Sequence, residues 1–140
     1  MSRETPLLAS EKIKLAFWIF VAFIILVPAV IGGWKLLYKQ IIRDYDGYDK
    51  KIAQVAEYYH FEIISYNEDL NRYKLSVDPD TWKGMSSDYR TRYCNMCFDD
   101  ICKTQWKYKI TDEGEEPYMY FFVNNRQVGH IAFDTTTVYN

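Results

Sequence analysis

Residues 15–34 read LAFWIFVAFIILVPAVIGGW, a run of 20 that opens on Leu15, closes on Trp34 and carries no charge. At a rise of about 1.5 Å per residue such a helix covers about 30 Å, the thickness of a bilayer hydrocarbon core. Trp18 and Trp34 lie towards its ends, where amphipathic rings favour the headgroup layer. Lys12 and Lys14 precede the run, and Lys35 and Lys39 follow it with stems long enough to snorkel outward. Pro28 would break a helix in water, but membrane helices tolerate proline. The sequence therefore predicts a spanning helix over residues 15–37, preceded by a short polar tail over residues 1–14 and kinked near Val27 and Pro28.

Two other readings of the run are weaker. A chain of 140 residues has too little mass to wrap an all-apolar 20-mer as a core helix. A cleaved signal peptide competes more closely, because the tail is basic enough and Val30, Ile31 and Gly32 offer small residues near the required spacing. The run, however, exceeds the usual apolar stretch of about 7–15 residues. WKLLYKQII then continues as a helix leaving the bilayer would, so an uncleaved signal anchor is the better account.

Arg3, Lys12 and Lys14 stand on one side of the run and Lys35, Lys39, Arg43, Lys50 and Lys51 on the other, which leaves little charge asymmetry to set orientation. A short tail before an early anchor is the usual layout of a protein that leaves its bulk outside. The expectation is a single-pass protein of a bacterial inner (plasma) membrane, with a cytoplasmic N-terminus and an extracytoplasmic C-terminal domain. No N-x-[ST] sequon supports a eukaryotic luminal domain.

Outside the run the chain changes character. Mean hydropathy over the whole sequence is -0.32 even with the apolar run included. The 49% apolar fraction is thus an average over two segments suited to different solvents. Seventeen basic against 19 acidic residues exclude a generally basic nucleic-acid binder. A quarter of the residues charged, with 18% aromatic, excludes a disordered tail. What remains has room for one modest domain.

Residues 38–47 read as a juxtamembrane helix and linker, broken at Asp46 and Gly47. Tyr48, Ile52, Val55, Ala56 and Tyr59 then form the apolar stripe of an amphipathic helix. Residues 61–66 (FEIISY) and 72–77 (RYKLSV) read as strands, the second alternating cleanly, with Asp78, Pro79 and Asp80 closing the hairpin. Ser86, Ser87 and Asp88 carry helix-start chemistry, and residues 87–103 place Tyr89, Tyr93, Cys97 and Ile101 on one side. Residues 106–110 (WKYKI) alternate again and predict a strand, followed by an acidic turn. Residues 118–123 and 126–133 flank Asn124 and Asn125, a two-residue hairpin turn. Residues 134–140 read as a frayed polar tail. The prediction is an α+β domain over residues 48–133, ordered α-β-β-α-β-β-β, with a mainly antiparallel sheet and the helices on one face.

Cys94 and Cys97 form a C-x-x-C, with Cys102 following. A thiol–disulfide oxidoreductase needs a thiolate stabilised at a helix N-terminus, whereas this pair falls in the middle of a predicted helix. Zinc needs four ligands, which only the distant His60 or His130 would complete. Buried thiols filling a core, or a structural disulfide, fit the wheel better. No phosphate-loop, dinucleotide, metalloprotease or nucleophile-elbow motif occurs. His60 and His130 read as structural or exposed. Asp99 and Asp100 splay about 100° apart on a helix, and the Glu113–Glu116 stretch reads as a solvated turn.

The 13 tyrosines suit both strand cores and protein interfaces. No cofactor or metal is expected. The functional expectation is a membrane-anchored, non-enzymatic protein in contact with lipid from Leu15 to Trp34, whose domain binds a protein partner and no nucleic acid. An accessory subunit of an envelope, secretion or other membrane assembly, or an immunity or exclusion factor, would fit. The alternative is a membrane-tethered thiol–disulfide oxidoreductase using Cys94 and Cys97.

Overall fold

The computed structural model describes residues 9–139, so the first eight residues of the polar tail and Asn140 lie outside the described residues. The chain divides into two units between Ile41 and Ile42. The first is a single α-helix, α1 (Ala9–Ile42), 34 residues long and helical through Pro28. It is long and apolar enough to cross a membrane, and its large apolar side chains, from Ile13 to Ile41, are exposed.

The second unit begins with α2 (Tyr45–Tyr59). The predicted break at Asp46 and Gly47 falls earlier, at Arg43 and Asp44, where the secondary structure is interrupted. Asp44 is the reason: its carboxylate accepts from the Gly47 amide at 2.9 Å and caps the new helix, drawing Asp46 and Gly47 into the first turn. Tyr48, Ile52 and Val55 are buried along the predicted stripe.

Two strands follow, β1 (Phe61–Asn67) and β2 (Arg72–Val77), paired antiparallel with an irregularity at Ile64. Asp78, Pro79 and Asp80 do more than end the hairpin. Asp78 caps a five-residue helix, α3 (Pro79–Lys83), with the proline in its first turn and Trp82 buried. Then comes α4 (Ser87–Lys107), 21 residues, capped by the Ser86 hydroxyl.

The strand predicted over residues 106–110 is absent, because α4 continues to Lys107 and closes on a Schellman turn. The Ile110 amide bonds to the Gln105 carbonyl at 2.9 Å and the Lys109 amide to that of Trp106 at 3.2 Å, with Lys109 left-handed at φ 59°. Ile110 is thereby turned into the core.

The last strands are β3 (Tyr118–Val123), β4 (Arg126–Ala132) and β5 (Thr135–Val138). Asn124 and Asn125 both have positive φ and make the expected two-residue turn. The expected frayed tail is instead an edge strand: Phe133 and Asp134 form a second two-residue turn, and β5 pairs antiparallel with β4. Gly129 permits the approach, since a Cβ there would sit 2.9 Å from the Thr137 carbonyl oxygen.

The five strands lie in the order β1-β2-β3-β4-β5. Three pairings are antiparallel, and only β2 with β3 is parallel, because α3 and α4 intervene between them. The fold is α+β. The helices pack on one face, where Tyr73, Leu75, Val77, Met119, Phe121 and Ile131 meet the buried side chains of α2 and α4.

Candidate binding face of the sheet

The side chains with chemical potential fall into three places: the core, the helix ends and the uncovered face of the sheet. The cysteines belong to the core. Cys94 and Cys97 are wholly buried on α4, Cys102 nearly so, and all three are unbridged thiols. Burial pushes the Cys94 and Cys102 thiols up to about 12, and the Cys97 thiol further still. The thiolate is the reactive form, so this environment works against nucleophilic chemistry at neutral pH. Tyr93 lies beside them, its hydroxyl donating to the Tyr59 carbonyl at 2.5 Å.

The predicted acid and histidine candidates do not converge. His60 is the left-handed cap of α2, and His130 lies on β4. Asp100 accepts from the Tyr59 hydroxyl at 2.5 Å, whereas Asp99 is exposed. Glu116 is held above the usual carboxyl range, first by its hydrogen bond to Asp134. Among the described residues, no three His, Cys, Asp or Glu side chains are placed to hold a metal ion.

The tyrosines at the sheet divide between its two faces. On the helix side, Tyr48, Tyr66 and Tyr73 join Asn71 and Gln105 in a buried polar cluster. The Gln105 amide nitrogen contacts the Tyr73 hydroxyl at 2.8 Å, the Asn71 Oδ1 at 2.9 Å and the Tyr66 hydroxyl at 3.3 Å. Tyr48 and Tyr73 share a hydrogen bond between their hydroxyls. Tyr66 donates to Asn71 at 3.2 Å and stacks on Tyr73 with centroids 4.3 Å apart. Burial pushes the Tyr48 hydroxyl up to about 12 and that of Tyr73 beyond it, so both stay protonated. This cluster ties the turn between β1 and β2 to the end of α4, which is a structural task.

On the other face, Tyr118, Tyr120 and Phe122 stand at alternate positions along β3 and are only half-buried. Strand pairing sets Lys74 on one side of Tyr120 and His130 on the other, so Ser65, Lys74, Tyr120, His130 and Thr137 form one row across all five strands. His130 stacks on Tyr120 at 6.2 Å, and its Nδ1 lies 2.6 Å from the Tyr139 hydroxyl. The Arg72 guanidinium lies over the Tyr120 ring at 5.5 Å. Phe133, in the turn that ends β4, meets Tyr118 edge-on at 5.5 Å.

No family model matches this sequence, and no curated protein and no solved structure matches it either. The functional reading therefore rests on the chain's own geometry. Among the described residues of this unit, no helix covers the outer face, which offers contiguous rings ringed by hydrogen-bonding side chains. Half-buried aromatic residues of this kind are what well-packed protein interfaces use as anchors.

Sequence reasoning identified the tyrosines as a group without telling the two faces apart. It also missed Phe122, Phe133 and Arg72 as members of the face. The alternation of YMYFFV held the signal for β3, but both of its faces are apolar. Only the one-sided packing of α2 and α4 reveals which is left open.

Proposed function

We propose that this chain is a single-pass, membrane-anchored, non-enzymatic protein whose small domain binds a protein partner through the outer face of its sheet. The observation that carries this reading is the half-buried row Tyr118, Tyr120 and Phe122, which no helix of the same unit covers. The apolar α1 supports the anchor. Deep burial of Cys94 and Cys97 argues against the thiol–disulfide oxidoreductase alternative. Within the proposal, the protein serves as an accessory subunit of an envelope, secretion or other membrane assembly, or as an immunity or exclusion factor. It sits in a bacterial inner membrane with its N-terminus cytoplasmic and its domain outside.

Site-specific photo-cross-linking tests the binding face. A photoreactive residue replaces Tyr120, or Lys103 on the exposed side of α4 as a control, in the full-length protein in membranes. The proposal expects one discrete protein adduct from position 120 and none from 103. Equal adducts from both, or none from either, refute it. Orientation is tested by a membrane-impermeant thiol reagent applied to a cysteine placed at Thr135. Labelling only after lysis reverses the assigned topology.

A further inference from the structure

The charges on the outer face indicate what kind of segment it takes. Arg72 and Lys74 both point from β2 beside the rings of β3, in register with Tyr118 and Tyr120. Neither forms an ion pair among the described residues, whereas Arg43 is bonded to Glu68 at 2.8 Å. The Arg72 guanidinium carbon lies 5.5 Å from the centre of the Tyr120 ring, and its Nε is buried without an acceptor. With no ion pair of its own among these residues, the Arg72 guanidinium is open to an anion, and a carboxylate is the acceptor that best fits a guanidinium fork.

Glu68 and Asp69 line one pocket with Arg72 and Lys74 at the turn after β1, Glu68 already bonded to Arg43, and the other counter-charges lie off this centre. Glu62 stands on β1 opposite Ser76, and Glu116 and Asp134 share a hydrogen bond near the start of β3. The middle of the face is thus cationic and aromatic, on a chain whose net charge is -2.

We infer that the outer face binds an extended acidic polypeptide segment, with carboxylates two residues apart set against Arg72 and Lys74 and intervening apolar or aromatic groups against Tyr118 and Tyr120. Spacing supports this form of ligand. Arg72 and Lys74 are alternate residues of one strand, about 6.8 Å apart, which is also the separation of same-side residues in an extended peptide. A membrane surface is the weaker fit, because two cations give little attraction to anionic lipid. A nucleic-acid strand would require a broader basic stripe than this face carries. The inference rests on the partner-binding reading above and refines it to a class of ligand.

The test uses the full chain in detergent micelles. The probe is a fluorescein-labelled octapeptide of alternating glutamate and tyrosine, followed by anisotropy. The matching lysine–tyrosine octapeptide, an oligothymidylate and phosphatidylglycerol vesicles serve as competitors. Saturable binding of the glutamate peptide is expected, at least tenfold tighter than the lysine peptide. Lys74→Glu should weaken it by tenfold or more, and Tyr120→Ala by threefold or more. Glu62→Lys, at an exposed position, should tighten it, an arm that does not depend on tolerance of changes at Arg72.

No binding, equal binding of the two peptides, or indifference to Lys74→Glu and Glu62→Lys overturns the proposal. Stronger variant-sensitive binding of the oligonucleotide or vesicles also overturns it and assigns the face to that class. An adduct from position 120 that survives charge reversal at Lys74 would leave partner binding standing and overturn the acidic specificity alone.

Discussion

Gln105 is wholly buried, and its amide nitrogen serves three oxygen partners on two strands and their connecting turn. Removing it strands the Tyr73 and Asn71 side chains in a low-dielectric interior, where an unpaired polar group is costly. Gln105→Leu is expected to destabilise the domain by about 2–3 kcal/mol, and Tyr48→Phe by about 1 kcal/mol, in guanidinium titrations followed by near-ultraviolet circular dichroism. An equal effect of the two would contradict the central place given to Gln105. The cysteines make a prediction of opposite kind. Cys94 moves from an ordinary 9.0 to about 12 on folding, so the unfolded chain loses its proton first as pH rises. Stability from this group is complete below about pH 9 and falls by about 1.4 kcal/mol per pH unit between there and 12. At pH 7.5 the three thiols should resist a maleimide in folded protein and react at once in denaturant; fast labelling of the folded form would contradict their burial.

At the scale of elements, the ends of helices decided most of what the sequence did and did not reveal. The α2 stripe, the alternation of β2 and the Asn124–Asn125 turn are local signals, and local physics fixes them. WKYKI alternates equally well, yet Trp106 ends in a helix with its indole nitrogen donating to the Glu115 carbonyl at 2.9 Å. The stop signal is a left-handed Lys109, where glycine would have announced itself. The strand β5 was hidden for a related reason, since Phe133 occupies a left-handed turn position that its side chain does not favour. The proposed binding face depends on which side α2 and α4 cover, a tertiary choice that no single window of sequence records. Two substitutions test this account. Lys109→Gly should stabilise the domain by about 0.5–1 kcal/mol, because it removes a left-handed side chain from an exposed position. Gly47→Ala should cost about 1–3 kcal/mol, because its Cβ would press on the Asp44 carboxylate and come within 2.5 Å of the Tyr108 ring. A neutral Gly47→Ala would mean that Tyr108 does not pack tightly against the start of α2.

At the scale of the whole molecule, the two units differ in what they bury and expose. The second buries its apolar side chains around one core, while α1 keeps Phe17, Ile24, Leu26 and Trp34 more than half exposed. Such a surface suits the hydrocarbon of a bilayer, as the proposed anchor requires. Charges in the middle of α1 should therefore act on location and leave the domain's fold alone. Ile25→Asp with Leu26→Asp adds about 5–7 kcal/mol to the free energy of inserting the helix, at about 2.5–3.5 kcal/mol for each central charge. The parent protein should resist alkaline carbonate extraction, whereas the double variant should be lost from the membrane fraction. In detergent, the variant should keep the parent's near-ultraviolet spectrum and unfolding midpoint, because neither residue belongs to the domain's core. Retention of the double variant in carbonate-washed membranes would remove α1 as the anchor. A shifted unfolding midpoint would instead show that α1 contributes to the stability of the second unit.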